Sequence, residues 1–145
     1  MDTSDAPMRY QGPLDLAHAH TTLNHVTASE EGFTRDGPRA DSEYRDLGLS
    51  AASAGRIGAK HIRAIRPFEQ PTGWHWHDMH AHFLFVLKGW ITFRYEGVEE
   101  EVTLGPGDSL SQPAGVPHNV IARSDDFEVI ELNVPAEYGT FDIHE

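Results

Sequence analysis

The sequence predicts an all-β fold, a sandwich or barrel of antiparallel strands, behind an irregular N-terminal extension. Short segments rich in β-branched and aromatic residues recur about every ten residues between Lys60 and Val134. Glycine and proline turns, such as those at Gly89, Gly97 and Gly107, separate these segments. Strands at this spacing, divided by such turns, are typical of antiparallel sandwiches and barrels.

Residues 1–55 are predicted to form the extension or arm. Glycine and proline interrupt this segment, and its apolar residues do not recur at the regular spacing of a helix or strand. Within them, residues 45–49 favour a short strand and turn. Residues 56–145 are predicted to form the barrel domain. The strands expected there span residues 60–66, 74–77, 81–87, 90–95, 98–104, 109–112, 118–122 and 127–134.

The composition excludes several classes of partner and site. Eleven basic and 23 acidic residues give a formal net charge of −12, and no basic stripe is visible, so nucleic acid and anionic membranes are poor partners. The absence of cysteine removes disulfides, thiol nucleophiles and cysteine-based metal sites. The N-terminus does not resemble a signal peptide, and the longest apolar run, 83–87, is too short to cross a bilayer. We therefore expect a cytoplasmic protein whose partner is a small molecule.

Four histidines have the spacing of a metal site. His75 and His77 are separated by one residue, so on a strand both imidazoles point to the same face. His82 follows His77 at an odd interval, so a turn or bulge near Asp78 must redirect it. His118 closes the second motif, Gly107-x5-Pro113-x-Gly115-x2-His118.

The segment that contains His82 predicts which side chains face the interior. His82, Leu84 and Val86 are expected to point into the barrel, and residues 83, 85 and 87 to pack behind them.

With both motifs at these spacings, residues 60–134 resemble the cupin superfamily. The resemblance implies a small jelly-roll barrel, the double-stranded β-helix, with a metal bound by His75, His77, His82 and His118. Cupins usually carry glutamate where this chain has His82. Replacing it by histidine favours one divalent ion of borderline softness: Fe(II) above all, with Ni, Zn, Cu or Co as alternatives.

The resemblance to three-His and four-His cupins implies a metal-dependent Fe(II) dioxygenase acting on a small organic substrate such as a β-dicarbonyl or a thiol. Two alternatives stay open at this point: a non-catalytic cupin that senses a small ligand, and a metal-dependent isomerase or lyase. Cupins host all of these functions, so the fold alone does not separate them.

Five further residues are weaker candidates for the site. Arg63 and Arg94 are expected to bind a substrate carboxylate if either points into the barrel. Asp78 and Glu69 could accept a hydrogen bond from a metal-binding imidazole. His80 could serve as a replacement ligand, support another ligand, or lie on the surface.

A homodimer is also expected. Small cupins commonly pair their barrels, and the segment around Tyr44, Leu47 and Leu49 could add a strand to a neighbouring barrel.

Overall fold

The computed structural model describes residues 21–143 as a two-sheet β structure with one short helix. A 3-10 turn, Glu30–Gly32, precedes the first strand, and the helix α1 spans Leu49–Ala52. The strands are β1 (Phe33–Thr34), β2 (Ser42–Asp46), β3 (Gly58–Ala64), β4 (His75–His77), β5 (Ala81–Lys88), β6 (Ile91–Tyr95), β7 (Val102–Leu104), β8 (Ser109–Gln112), β9 (His118–Arg123), β10 (Glu128–Val134) and β11 (Thr140–Asp142).

The strands form two antiparallel sheets. The first has the order β1-β2-β3-β10-β5-β8, and the second has the order β11-β4-β9-β6-β7. Sequence neighbours are often separated in the sheets, as β4 and β5 are, so the chain crosses repeatedly between the two layers. The prediction of an all-β jelly-roll barrel is confirmed.

The core lies between the sheets and is built from alternate residues of facing strands. Leu84 and Val86 on β5, Phe93 on β6 and Val129 on β10 are all buried in one cluster. The expectation that residues 82, 84 and 86 face inward is met, because Leu84 and Val86 are buried and His82 lines the interior cavity.

The side chains behind them do not all pack as expected. Phe85 is 39% exposed and Leu87 is 43% exposed, because each sheet of a sandwich buries only the face that meets the other sheet.

Part of the N-terminal extension belongs to the same sheet as the barrel. Strand β2 pairs with β3 in register, with Tyr44 opposite Ile62, and the Tyr44 side chain is buried. Tyr44 thus packs within its own barrel, and the contribution of this segment to a neighbouring barrel stays a prediction. The domain division at residue 55 stays a prediction.

No helix within residues 21–143 is long and apolar enough to cross a membrane.

Candidate metal centre

Three histidines converge at one end of the barrel interior. His75 and His77 project from β4, and His118 projects from the start of β9, directly opposite His75 in the strand pairing. Their potential ligand nitrogens all lie within 4.8 Å of one another. The ring centroids of His75 and His118 are 4.3 Å apart, and those of His77 and His118 are 5.0 Å apart.

In each of these rings Nδ1 is already engaged. His75 Nδ1 lies 2.9 Å from the Gly73 carbonyl, and His118 Nδ1 lies 3.0 Å from the Val116 carbonyl. A carbonyl only accepts, so Nδ1 of both rings carries the proton and Nε2 keeps its lone pair. His77 Nδ1 lies 2.8 Å from Thr140 Oγ1, on β11. Neighbouring groups thus orient the rings and leave the Nε2 atoms free to bind a metal.

Burial keeps these imidazoles neutral. It lowers the pKa of His77 to about 3 and, as the main cause, that of His118 to about 4. The pKa of His75 is lowered as well, again mainly by burial. The neighbouring imidazoles oppose protonation further, because each added positive charge would lie beside another ring. Near neutral pH all three rings are uncharged, which is the form that binds a metal.

His82 reaches the same cavity from the other sheet. The loop between β4 and β5 carries the chain across, which provides the redirection that the odd spacing required. The His82 ring centroid is 5.6 Å from that of His77. Its Nε2 is buried and makes no hydrogen bond of normal geometry within residues 21–143, although Glu131 Oε2 lies 3.5 Å away. His82 lies outside the group of three, and its assignment as a fourth ligand stays a prediction.

Glu131 is an acidic residue of this site that sequence reasoning missed. It lies on β10, lines the cavity and has a side chain only 14% exposed. Its Oε2 lies 3.5 Å from His82 Nε2, and its Oε1 accepts a hydrogen bond of 3.4 Å from Tyr138 Oη. Burial by itself raises the pKa of Glu131, but His82 and Lys60 outweigh it and hold the pKa below its usual value. Glu131 is therefore an ionised carboxylate inside the barrel.

A cavity of about 280 Å³ lies between the sheets and contains all of these groups. Apolar side chains such as Leu84 and Phe93 form part of its wall. Two tyrosines also line it, and burial raises the pKa of Tyr44 to about 12 and that of Tyr138 above its usual value. Both phenols therefore stay neutral and able to donate hydrogen bonds.

Comparison with known proteins agrees with this architecture. The cupin domain model matches residues 63–135, half of the chain. This protein belongs to the cupin family. No curated protein matches the sequence significantly.

Solved structures with the same fold are distant in sequence. KdgF from Halomonas sp. is 22% identical over 72% of this chain and 88% of its own, with a TM-score of 0.56. The polyketide cyclase RemF from Streptomyces resistomycificus is 17% identical over 94% of this chain and 87% of its own, with a TM-score of 0.57. Oxalate decarboxylase from Bacillus subtilis is 16% identical over 97% of this chain but 34% of its own, with a TM-score of 0.56.

The two arginines expected to bind substrate do not line the cavity of this cupin. Arg63 pairs with Glu43 and Glu30, and its guanidinium carbon lies 3.7 Å from the centroid of the Phe33 ring. Arg94 is exposed on β6. Strand alternation decides both cases, because β3 and β6 turn these positions away from the interior.

The residues expected to support the metal ligands also lie elsewhere. Asp78, His80 and Glu69 are all exposed, and none lines the cavity that contains the histidines. Backbone carbonyls and Thr140 fill that role, and sequence gives no signal for a carbonyl partner. Glu131 did leave a signal, because it follows Phe127 and Val129 at the period of two that marks the buried face of a strand.

Proposed function

We propose that this cupin is a metal-dependent enzyme that transfers a proton within a small organic anion, as an isomerase or lyase does. His75, His77 and His118 hold one divalent transition-metal ion, and His82 is the fourth ligand. Glu131 accepts the proton. The observation that carries the proposal is a carboxylate, 14% exposed, in the same cavity as the converging histidines.

The residues present fit a metal ion. Three neutral imidazoles each offer one nitrogen, and these nitrogens lie within 4.8 Å of one another. His82 Nε2 is buried in the same cavity, 3.5 Å from Glu131 Oε2. An all-nitrogen set of this kind suits Fe(II), Co, Ni, Cu or Zn. When bound, such an ion supplies Lewis acidity that stabilises a carboxylate or enolate oxygen.

Glu131 has the properties of a general base for this chemistry. It is ionised, so it can take a proton from a carbon next to a substrate carbonyl and return it to a different carbon or to a leaving group. The Tyr138 hydroxyl donates to Oε1 and so fixes the orientation of the carboxylate. The apolar side chains of Leu84, Phe93 and Val129 line the same cavity, and apolar surroundings strengthen electrostatic interactions.

An iron(II) dioxygenase is the second candidate. The sequence led to this expectation through four histidines with no carboxylate among them, and three of these, His75, His77 and His118, lie together in the structure. The similar structures include a polyketide cyclase and an oxalate decarboxylase, so proteins of this fold carry out more than one kind of reaction.

A solvent-exchange assay distinguishes a proton-transfer enzyme from a dioxygenase. Protein reconstituted with Fe(II), Co(II), Ni(II) or Zn(II) is incubated without oxygen in D2O with small 2-oxo acids and β-dicarbonyl compounds, and deuterium incorporation is followed by NMR. We expect metal-dependent exchange that falls roughly 100-fold or more in Glu131→Gln, the typical contribution of general base catalysis. Turnover that requires oxygen and consumes it would instead establish the dioxygenase.

Glu128→Gln is the matched control. Glu128 lies on the same strand as Glu131 but pairs with His61, 2.9 Å away, outside the cavity. Its replacement should leave the exchange rate unchanged. An equal loss in both variants would mean that Glu131 acts through the stability of the strand and not as the base.

A further inference from the structure

Arg39 stands where two cavities meet. It belongs to the segment between β1 and β2, and it lines the cavity that holds the histidines. It also lines an outer cavity of about 390 Å³ between residues 38–41 and 66–72. A molecule that enters the inner cavity from the outer one therefore passes this side chain.

The backbone of Arg39 is held in place. Its N–H donates to Tyr44 Oη at 3.0 Å, and its carbonyl accepts from the Ser42 N–H at 3.4 Å. Tyr44 and Ser42 are both buried on β2. These hydrogen bonds thus fix the backbone from which the Arg39 side chain extends, without any ligand.

The guanidinium itself has no acidic partner in the described part of the chain. Within residues 21–143, no carboxylate lies within 4.0 Å of it, although the residue is half-buried. Arg123, which lines the same cavity, differs in this respect, because it pairs with Asp41 at 3.0 Å and donates to the Arg66 carbonyl at 3.1 Å. A half-buried cation without a counter-ion is costly unless an anion joins it.

The charges around the cavity also favour an anion. Arg39, Lys60 and Arg123 are balanced by three acidic residues, Asp41, Glu131 and Asp142, so a divalent metal would leave a net charge of about +2.

Gln112 adds a neutral hydrogen-bond donor to this environment. Its side chain is 6% exposed and lines the cavity, and its Nε2 has no hydrogen-bond partner in the part of the chain that the structure describes. A buried donor that is unpaired within the protein is available to an oxygen of a ligand.

We propose that Arg39 binds a carboxylate of the substrate, so that this cupin acts on small organic carboxylates that carry a second oxygen toward the histidines. The guanidinium offers paired N–H donors that match a carboxylate. The inner cavity is at the small end of ligand sites, so the substrate is small. The assignment of a substrate class rests on the proposed function, whereas anion binding by Arg39 does not need the metal.

Titration with malonate and its uncharged analogue malonamide tests the proposal. Calorimetry is carried out on cobalt-loaded wild type, Arg39→Gln, Arg39→Lys and the exposed control Arg94→Gln. We expect malonate to bind roughly 10- to 100-fold more weakly to Arg39→Gln, the range for a lost charge-assisted hydrogen bond. Arg39→Lys should be intermediate, and Arg94→Gln and all malonamide titrations should be unaffected.

Two results would overturn the role of Arg39. One is malonate binding by Arg39→Gln within twofold of wild type. The other is a wild type that binds none of formate, pyruvate or malonate at millimolar concentration. Circular dichroism checks that each variant is folded. If Arg39→Gln does not fold, Arg39→Lys still tests the role of Arg39.

Metal content separates this proposal from the proposed function. If wild type takes up no cobalt, the metal-dependent function fails. Malonate-induced NMR shifts in the metal-free protein, and their loss in Arg39→Gln, then decide the role of Arg39 alone. If cobalt binds and Arg39→Gln binds malonate as wild type does, the inference about Arg39 fails and the metal site stands.

Discussion

His82 and Glu131 stand side by side on neighbouring strands of one sheet, with 3.5 Å between His82 Nε2 and Glu131 Oε2. In the pairing of β5 with β10, His82 is opposite Asn133 and Glu131 is opposite Leu84, so the two form a diagonal pair on the inner face. Cupins usually place a glutamate at the position of His82. Here a carboxylate remains beside that position but comes from a different strand.

Metal binding should depend on the histidines inside the barrel. We expect the double variant His77→Ala with His118→Ala to bind no metal, because it removes two of the three converging imidazoles. Metal content by mass spectrometry after dialysis against Zn(II) or Co(II) measures this. His80→Ala is the control, since His80 is exposed and outside the cavity. Full occupancy in the double variant would show that other residues hold the metal.

Replacing His82 by glutamate should change metal preference. An added oxygen ligand favours harder ions, so we expect His82→Glu to shift the Mn(II)/Fe(II) affinity ratio toward manganese. Competition dialysis under anaerobic conditions gives the ratio. His82→Gln is the comparison, because it removes the imidazole without adding a charge. An unchanged ratio in His82→Glu would mean that this side chain does not touch the metal.

The stability of the metal-free protein should fall in acid. The pKa values of His77 and His118 are lowered from 6.5 to about 3 and about 4 in the fold. Between pH 6.5 and 4 the unfolded chain therefore binds more protons than the folded one, and lowering the pH favours unfolding. Each such histidine contributes a slope of up to about 1.4 kcal/mol per pH unit.

Denaturant unfolding in EDTA at several pH values between 7.5 and 4.5 measures this slope. The variant His118→Gln lacks one of the two groups, so its stability should depend less steeply on pH than that of wild type. A slope in the variant as steep as in wild type would contradict the assignment of the acid sensitivity to these buried rings.

The predicted homodimer now has a candidate surface. Phe85, Leu87 and Trp90 are each about 40% exposed and lie close together in sequence at the end of β5 and the following turn. Apolar side chains grouped at a surface are typical of contacts between subunits. We expect wild type to sediment as a dimer at micromolar concentration and Phe85→Glu with Leu87→Glu to sediment as a monomer. Val98→Glu, at an exposed apolar residue elsewhere, should remain dimeric, and a wild-type mass of 16.2 kDa would exclude the dimer.

Local sequence predicted much of this fold because the signals involved are short-range. Alternation placed His75 and His77 on one face of β4, and the glycine and proline turns divided the strands close to where the structure has them. Local sequence did not predict the position of a side chain whose surroundings come from another strand. Arg63 is one such case, because its partner Glu43 lies on β2, which sequence reasoning had assigned to the arm.

The sequence by itself determined the all-β class, the resemblance to cupins and the histidines that face one another in the barrel. Strand period and motif spacing are properties of neighbouring residues, so they can be read without the fold. Only the tertiary structure decided that Glu131 and Arg39 line the cavity and that backbone carbonyls hold the imidazoles. The pairing of β10 with β5 and the path of the loop before β2 bring together residues far apart in the chain, and no local pattern specifies which distant segments meet.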